Sequence, residues 1–103
     1  MLVTILAAAM MMQASAAERN AFVSCLKNAA VSAKAANVTV DGFKDHARKV
    51  CGEIENGLKS KLAAFNVKNG MARKAAADDA QLQLDDYLLT AEDRYRYATE
   101  EPN

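Results

Sequence analysis

Cys25 and Cys51 lie thirteen residues to either side of position 38, inside the turn-like stretch Asn37-Val38-Thr39. If the flanking segments are antiparallel helices, that turn brings the two sulfurs face to face. A disulfide between them closes a loop of 26 residues, worth about 3 kcal/mol through the entropy it removes from the unfolded chain. This constraint outweighs every other feature of the sequence.

Both flanks carry helical periodicity. From about Glu18 to Ala36, the residues Phe22, Cys25, Leu26, Ala29, Ala33 and Ala36 recur at spacings of three and four, which places them on one helix side. Abundant Ala favours helix. The second segment has its own start. Thr39 suits an N-cap, Asp41 places negative charge near the positive end of the helix dipole, and Val38 with Phe43 suits a hydrophobic staple. Beyond it, Phe43, Ala47, Val50, Cys51, Ile54, Leu58, Leu62 and Phe65 form one apolar stripe. Asp45/Lys49 and Glu55/Lys59, four apart with the acid first, read as solvated pairs on the other faces. In the register set by the cysteines, Phe22 faces Ile54, Leu26 faces Val50, Ala29 faces Ala47 and Ala33 faces Phe43. Every pairing is apolar or thiol, so the two helices support each other.

The N-terminus predicts export. An apolar run, Leu2 through Met12, precedes Gln13 and the small residues Ala14-Ser15-Ala16-Ala17. This is the pattern of a signal peptide cleaved after Ala16 or Ala17, and the run is short for a membrane span of roughly 20 residues. No Lys or Arg precedes it, so a basic region upstream of Met1 is one reading and a retained N-terminal anchor is another. Cleavage leaves 86 of the 103 residues, a single small domain in which a covalent staple matters. Four of the five methionines lie in the expected signal, leaving Met71 alone, too few for a Met-rich copper site. The expected organisation is a cleavable signal at 1–17, one helical domain at 18–98 and a flexible tail at 99–103.

The third segment is less sharply defined. Asn69-Gly70 suits a helix stop with Gly in a left-handed cap, whereas Arg73 and Lys74 would crowd the positive end of a new helix. A break near 66–70, or an unbroken second arm, both fit. The apolar face expected here is Val67, Met71, Ala75, Leu82 and Leu89, and Thr90 with Asp93 resembles a capping box for a last short turn. Charge divides along the chain. Glu18 to Lys74 carries eleven Lys/Arg against five Asp/Glu, and the remainder two against eight. Halves of opposite sign attract, most simply within one molecule.

Few constellations carry chemistry. Cys25 and Cys51 as a redox couple would depart from the close spacing and lowered thiol pKa of exchange-active pairs. His46, Cys25 and Cys51 do not converge as metal ligands, because His46 and Cys51 are five residues apart and point to different helix faces. Ser24, Ser32 and Ser60 share one histidine and lack a glycine-rich turn to present a nucleophile. Asp78, Asp79, Asp85 and Asp86 align by sevens into an acidic ridge, a candidate partner-binding surface. Arg94-Tyr95-Arg96-Tyr97 mixes cations and aromatics as nucleic-acid binders do, but acids flank it and the tyrosines better suit capping the bundle.

The sequence thus predicts an all-α protein: a disulfide-stapled antiparallel helical hairpin with a third helical segment. The export signal and the cysteine pair imply a periplasmic or secreted location, and in outline the chain resembles small, functionally unassigned exported proteins of Gram-negative bacteria, a likeness that implies no particular activity. The leading expectation is a non-enzymatic interaction or structural module that holds a protein partner or itself. It would use no cofactor, bind no metal or nucleic acid, and keep no stable membrane insertion after cleavage. The alternative is a thiol-redox or metal-handling protein acting through Cys25 and Cys51.

Overall fold

In a computed structural model, the backbone is described for residues 2–100 and the side chains for residues 15–100. The three helices are α1 (Leu2–Ala35), α2 (Phe43–Lys68) and α3 (Arg73–Glu100). The expected signal peptide falls largely outside the described side chains, and its boundary at 17/18 lies within the continuous backbone of α1. The tail boundary at 99 is passed by α3, where the Thr99 hydroxyl donates to the Tyr95 carbonyl at 2.9 Å. Residues 101–103 lie outside the described residues.

Each turn is made by the same chemistry. After α1, Asn37 takes a left-handed φ of 55°. Val38 N–H then donates to the Ala33 carbonyl, and Asn37 N–H to that of Lys34. After α2, Gly70 has φ 100°, with Met71 N–H bonded to the Asn66 carbonyl and Gly70 N–H to that of Val67. Both are Schellman endings, in which one left-handed residue lets the following N–H groups satisfy orphan carbonyls. The break at Asn69-Gly70 is therefore real, and the unbroken arm is excluded. Thr39 does not cap α2. Its hydroxyl accepts from Gly42 N–H at 3.2 Å and closes the turn one step earlier, and Gly42 holds the cap position. The expected turn at Thr90 is absent, since α3 runs through it unbroken.

Cross-links between elements fix the topology. Glu18–Lys61, Cys25–Cys51 and Ser32–His46 run antiparallel along α1 and α2. Lys44–Glu92, Arg48–Asp85 and Asn66–Asp79 do the same for α2 and α3. α2 is thus the central helix, and α1 and α3 lie parallel on its two flanks, meeting each other over a shorter stretch. The core is Phe22, Leu26, Phe43, Cys51, Leu58, Leu62, Leu84 and Leu88. Toward the helix ends, Ala29, Ala33, Ala47, Ala76 and Ala80 are fully buried.

The third helix corrects two expectations about burial. Val50 is 49% exposed and Ile54 39%, so neither serves as the core partner of Leu26 or Phe22. Glu55, read as a surface residue, is buried beside Arg48 at 3.8 Å. The reason is geometric: α3 packs on the Arg48–Glu55 side of α2 and moves the centre of the buried stripe away from Val50. Within α3 the buried face is Ala76, Ala80, Leu84, Leu88 and Tyr95, whereas the expected face at Val67, Met71, Ala75, Leu82 and Leu89 is exposed. Neither Asp45/Lys49 nor Glu55/Lys59 pairs among the described residues. The Arg48 guanidinium joins Glu55 to Asp85 instead.

Candidate functional site

The staple forms as expected. Cys25 and Cys51 are bonded, with Cα atoms 5.9 Å apart, inside the range that a disulfide spans without backbone distortion. Cys51 is buried and Cys25 half-buried. Both lie mid-helix among apolar neighbours, far from the helix N-termini that lower thiol pKa values. Among the described residues no group of His, Cys, Asp and Glu is arranged to hold a metal ion, and no helix is long and apolar enough to cross a membrane.

His46 makes a contact that sequence reasoning missed. Its Nε2 lies 2.7 Å from Ser32 Oγ, which is also 3.0 Å from the Ala29 carbonyl. A serine beside an imidazole is half of a nucleophile–base pair. Ser32, however, sits in the last turn of α1, where neighbouring backbone N–H groups are spent in the helix ladder and cannot hold an oxyanion. The contact acts as a polar clamp between α1 and α2.

The acidic ridge is divided by its partners. Asp79 accepts from Asn66 Nδ2 at 2.9 Å and Gln83 Nε2 at 3.0 Å. Asp85 takes Arg48 and Gln81. Asp78 stays exposed on the outer face of α3, while Asp86 turns toward α1 and lines the cleft described below. Two of the four carboxylates therefore hold α3 in place, and the ridge is not one continuous surface. The tyrosines separate likewise. Tyr95 is buried, stacks on Phe43 with ring centroids 4.6 Å apart, and donates to the Val38 carbonyl at 2.6 Å. It ties α3 to the α1–α2 turn, whereas Tyr97 is exposed. Arg96 is engaged by Glu92 and Asp93. A stacking platform for bases needs exposed rings, and Tyr95 is not one.

Among the described residues, a substantial concavity lies between α1 and α3. It is a cleft of about 420 Å³, within the size range of small-ligand sites. Leu26, Val23, Ala30, Tyr87 and Ala91 form its apolar, wholly or partly buried floor. Arg19, Lys27 and Arg94 supply three cations around it, against the single acid Asp86. One end is strapped: Arg19 donates to Tyr87 Oη at 3.4 Å and Gln83 Oε1 at 3.2 Å, and Phe22 meets Tyr87 edge-on at 5.8 Å. No periodicity or motif marks this cleft, because its two walls come from segments more than fifty residues apart.

No known protein family, curated protein or solved structure matches the chain.

Proposed function

We propose that this chain is an exported, non-enzymatic helical module that binds a partner in the cleft between α1 and α3. The observation that carries the reading is a small bundle held by a covalent staple that leaves an apolar, cation-rimmed cleft open to solvent. A disulfide persists in oxidising compartments such as the periplasm or the extracellular space. The placement of the core supports removal of the first 17 residues. Among the described side chains the first buried one is Phe22, so cleavage after Ala16 or Ala17 leaves the buried cluster of the described residues intact.

Two measurements test the reading. Intact mass of the exported protein is expected to begin at Ala17 or Glu18 and to rise by two hydrogens on reduction. A full-length chain with free thiols would remove the compartment argument. For binding, a photo-crosslinking residue at Val23, inside the cleft, is expected to capture an adduct in living cells. The same residue at Val31, which is 71% exposed and outside the cleft, is expected to capture none. Equal capture at both positions, or none at either, counts against the cleft as the working surface.

A further inference from the structure

The balance of charge and apolar area in the cleft narrows what it takes. Among the described residues, Lys27 and Arg94 have no carboxylate partner, and Arg19 bonds only to the neutral Gln83 and Tyr87. With Asp86 as the one acid, the rim carries a formal excess of two positive charges over an apolar floor. Such a site matches a molecule with an apolar body and an anionic end. The strap at Arg19, Gln83 and Tyr87 closes one end, so the cleft is not an open trough that a long helix could occupy along several turns. Its volume suits one aliphatic tail, not the two tails of a membrane phospholipid.

Resting on the binding reading above, we infer that the α1–α3 cleft binds a free single-chain aliphatic carboxylate, with the tail on Val23, Leu26, Ala30 and Ala91 and the head group among the rim cations. Arg94 and Lys27 are exposed and can swing to the carboxylate without breaking a bond to any described residue. Arginine offers the fork of donors that matches a carboxylate in two parallel hydrogen bonds.

The experiment is a calorimetric titration of the folded, oxidised protein with octanoate, decanoate and dodecanoate, alongside acetate and dodecanol. The expected result is saturable one-to-one binding that tightens about two- to fourfold per added methylene, the gain from burying part or all of each CH₂. Acetate is expected to show no binding and dodecanol at least tenfold weaker binding. Lys27→Gln with Arg94→Gln should weaken dodecanoate at least tenfold while leaving thermal unfolding unchanged, since neither side chain bonds to any of the described residues. Ala30→Phe should abolish binding by filling the floor, and circular dichroism checks that this variant folds. Dodecanol binding as tightly as dodecanoate, indifference to chain length, or full affinity in the Lys27/Arg94 variant would each overturn the assignment. So would binding to phosphatidylglycerol vesicles that survives Ala30→Phe, because the rim would then be a membrane-contact surface. A folded protein that takes up no dodecanoate removes this ligand class alone. The broader binding reading falls separately, on the crosslinking result at Val23.

Discussion

Replacing the two cysteines one at a time tests both the staple and the depth at which each sulfur sits. The closed loop of 26 residues lies between the 15-residue and 100-residue cases, so its loss costs between about 3 and 4 kcal/mol in the loop-entropy account. That is a large part of the 5–15 kcal/mol typical of a folded domain. For a domain of this size each kcal/mol moves the midpoint by about 4–8 °C, so the expected fall is on the order of 12–30 °C. The substitutions differ in a second respect. Cys51 is 1% exposed, and a serine there places a hydroxyl in the apolar core at an added cost of about 1 kcal/mol or more. At half-buried Cys25 the hydroxyl reaches water and adds little. The expected order of melting temperature is oxidised wild type, then reduced wild type together with Cys25→Ser, then Cys51→Ser together with the double variant. Thermal unfolding by circular dichroism, with and without reductant, reads all of these. Equal midpoints for oxidised wild type and Cys25→Ser would refute the structural staple. Equal midpoints for the two single variants would refute the buried placement of Cys51 and leave the staple standing.

Other expectations follow from positions that the bundle treats differently. Tyr95→Phe removes only the bond to the Val38 carbonyl and should cost about 1 kcal/mol in urea unfolding. A double-mutant cycle of Tyr95→Leu with Phe43→Leu, both of which remove a ring from the stacked pair, should show a coupling of about 0.5–1.5 kcal/mol, and zero coupling would mean that α3 is not docked on the turn. Leu58→Ala, at a fully buried site, should cost about 2–5 kcal/mol, against less than about 1 kcal/mol for the half-exposed Val50→Ala. A comparable loss at Val50 would restore the register read from the hairpin alone. Gly70→Ala meets no atoms within 4 Å but must adopt φ +100°, so it should destabilise by about 1–2 kcal/mol. Gly57→Ala, in open space within α2, should stabilise by about 0.5–1 kcal/mol, and chemical denaturation of both variants distinguishes the two signs.

The candidate site was legible only where it depends on one segment at a time. Cys25 and Cys51 could be paired from spacing because the turn between them makes their encounter a local matter. The four aspartates were visible as a row, but their separation into Asp79 and Asp85 as struts, Asp86 at a cleft and Asp78 in solvent depends on what α1 and α2 place opposite. The cleft left no trace in periodicity. Val23 and Lys27 carry no pattern of their own, and only the packing of α1 against α3 brings them beside Arg94.

The helices and the staple follow from local sequence, because each is decided by interactions within a few residues or across one turn. Apolar residues at spacings of three and four, Asn37 and Gly70 able to take a left-handed φ, and two cysteines at equal reach are all local facts. Which face of α2 and α3 is inside depends instead on how the three helices pack, whereas the inner face of α1 was already visible in Phe22, Leu26, Ala29 and Ala33. The stripe of α2 had two edges, and the arrival of α3 on the Glu55 side buried one and exposed Val50 and Ile54 on the other. In α3, the apolar residues Leu82 and Leu89 competed with Leu84 and Leu88 for the inner face. Carrying the phase of α2 across the break at Gly70 selected the wrong pair, because a left-handed residue resets the rotation of the helix that follows. Which pair is buried then depends on where Tyr95 meets Phe43 and the Val38 carbonyl, a contact between segments more than fifty residues apart that no local periodicity encodes.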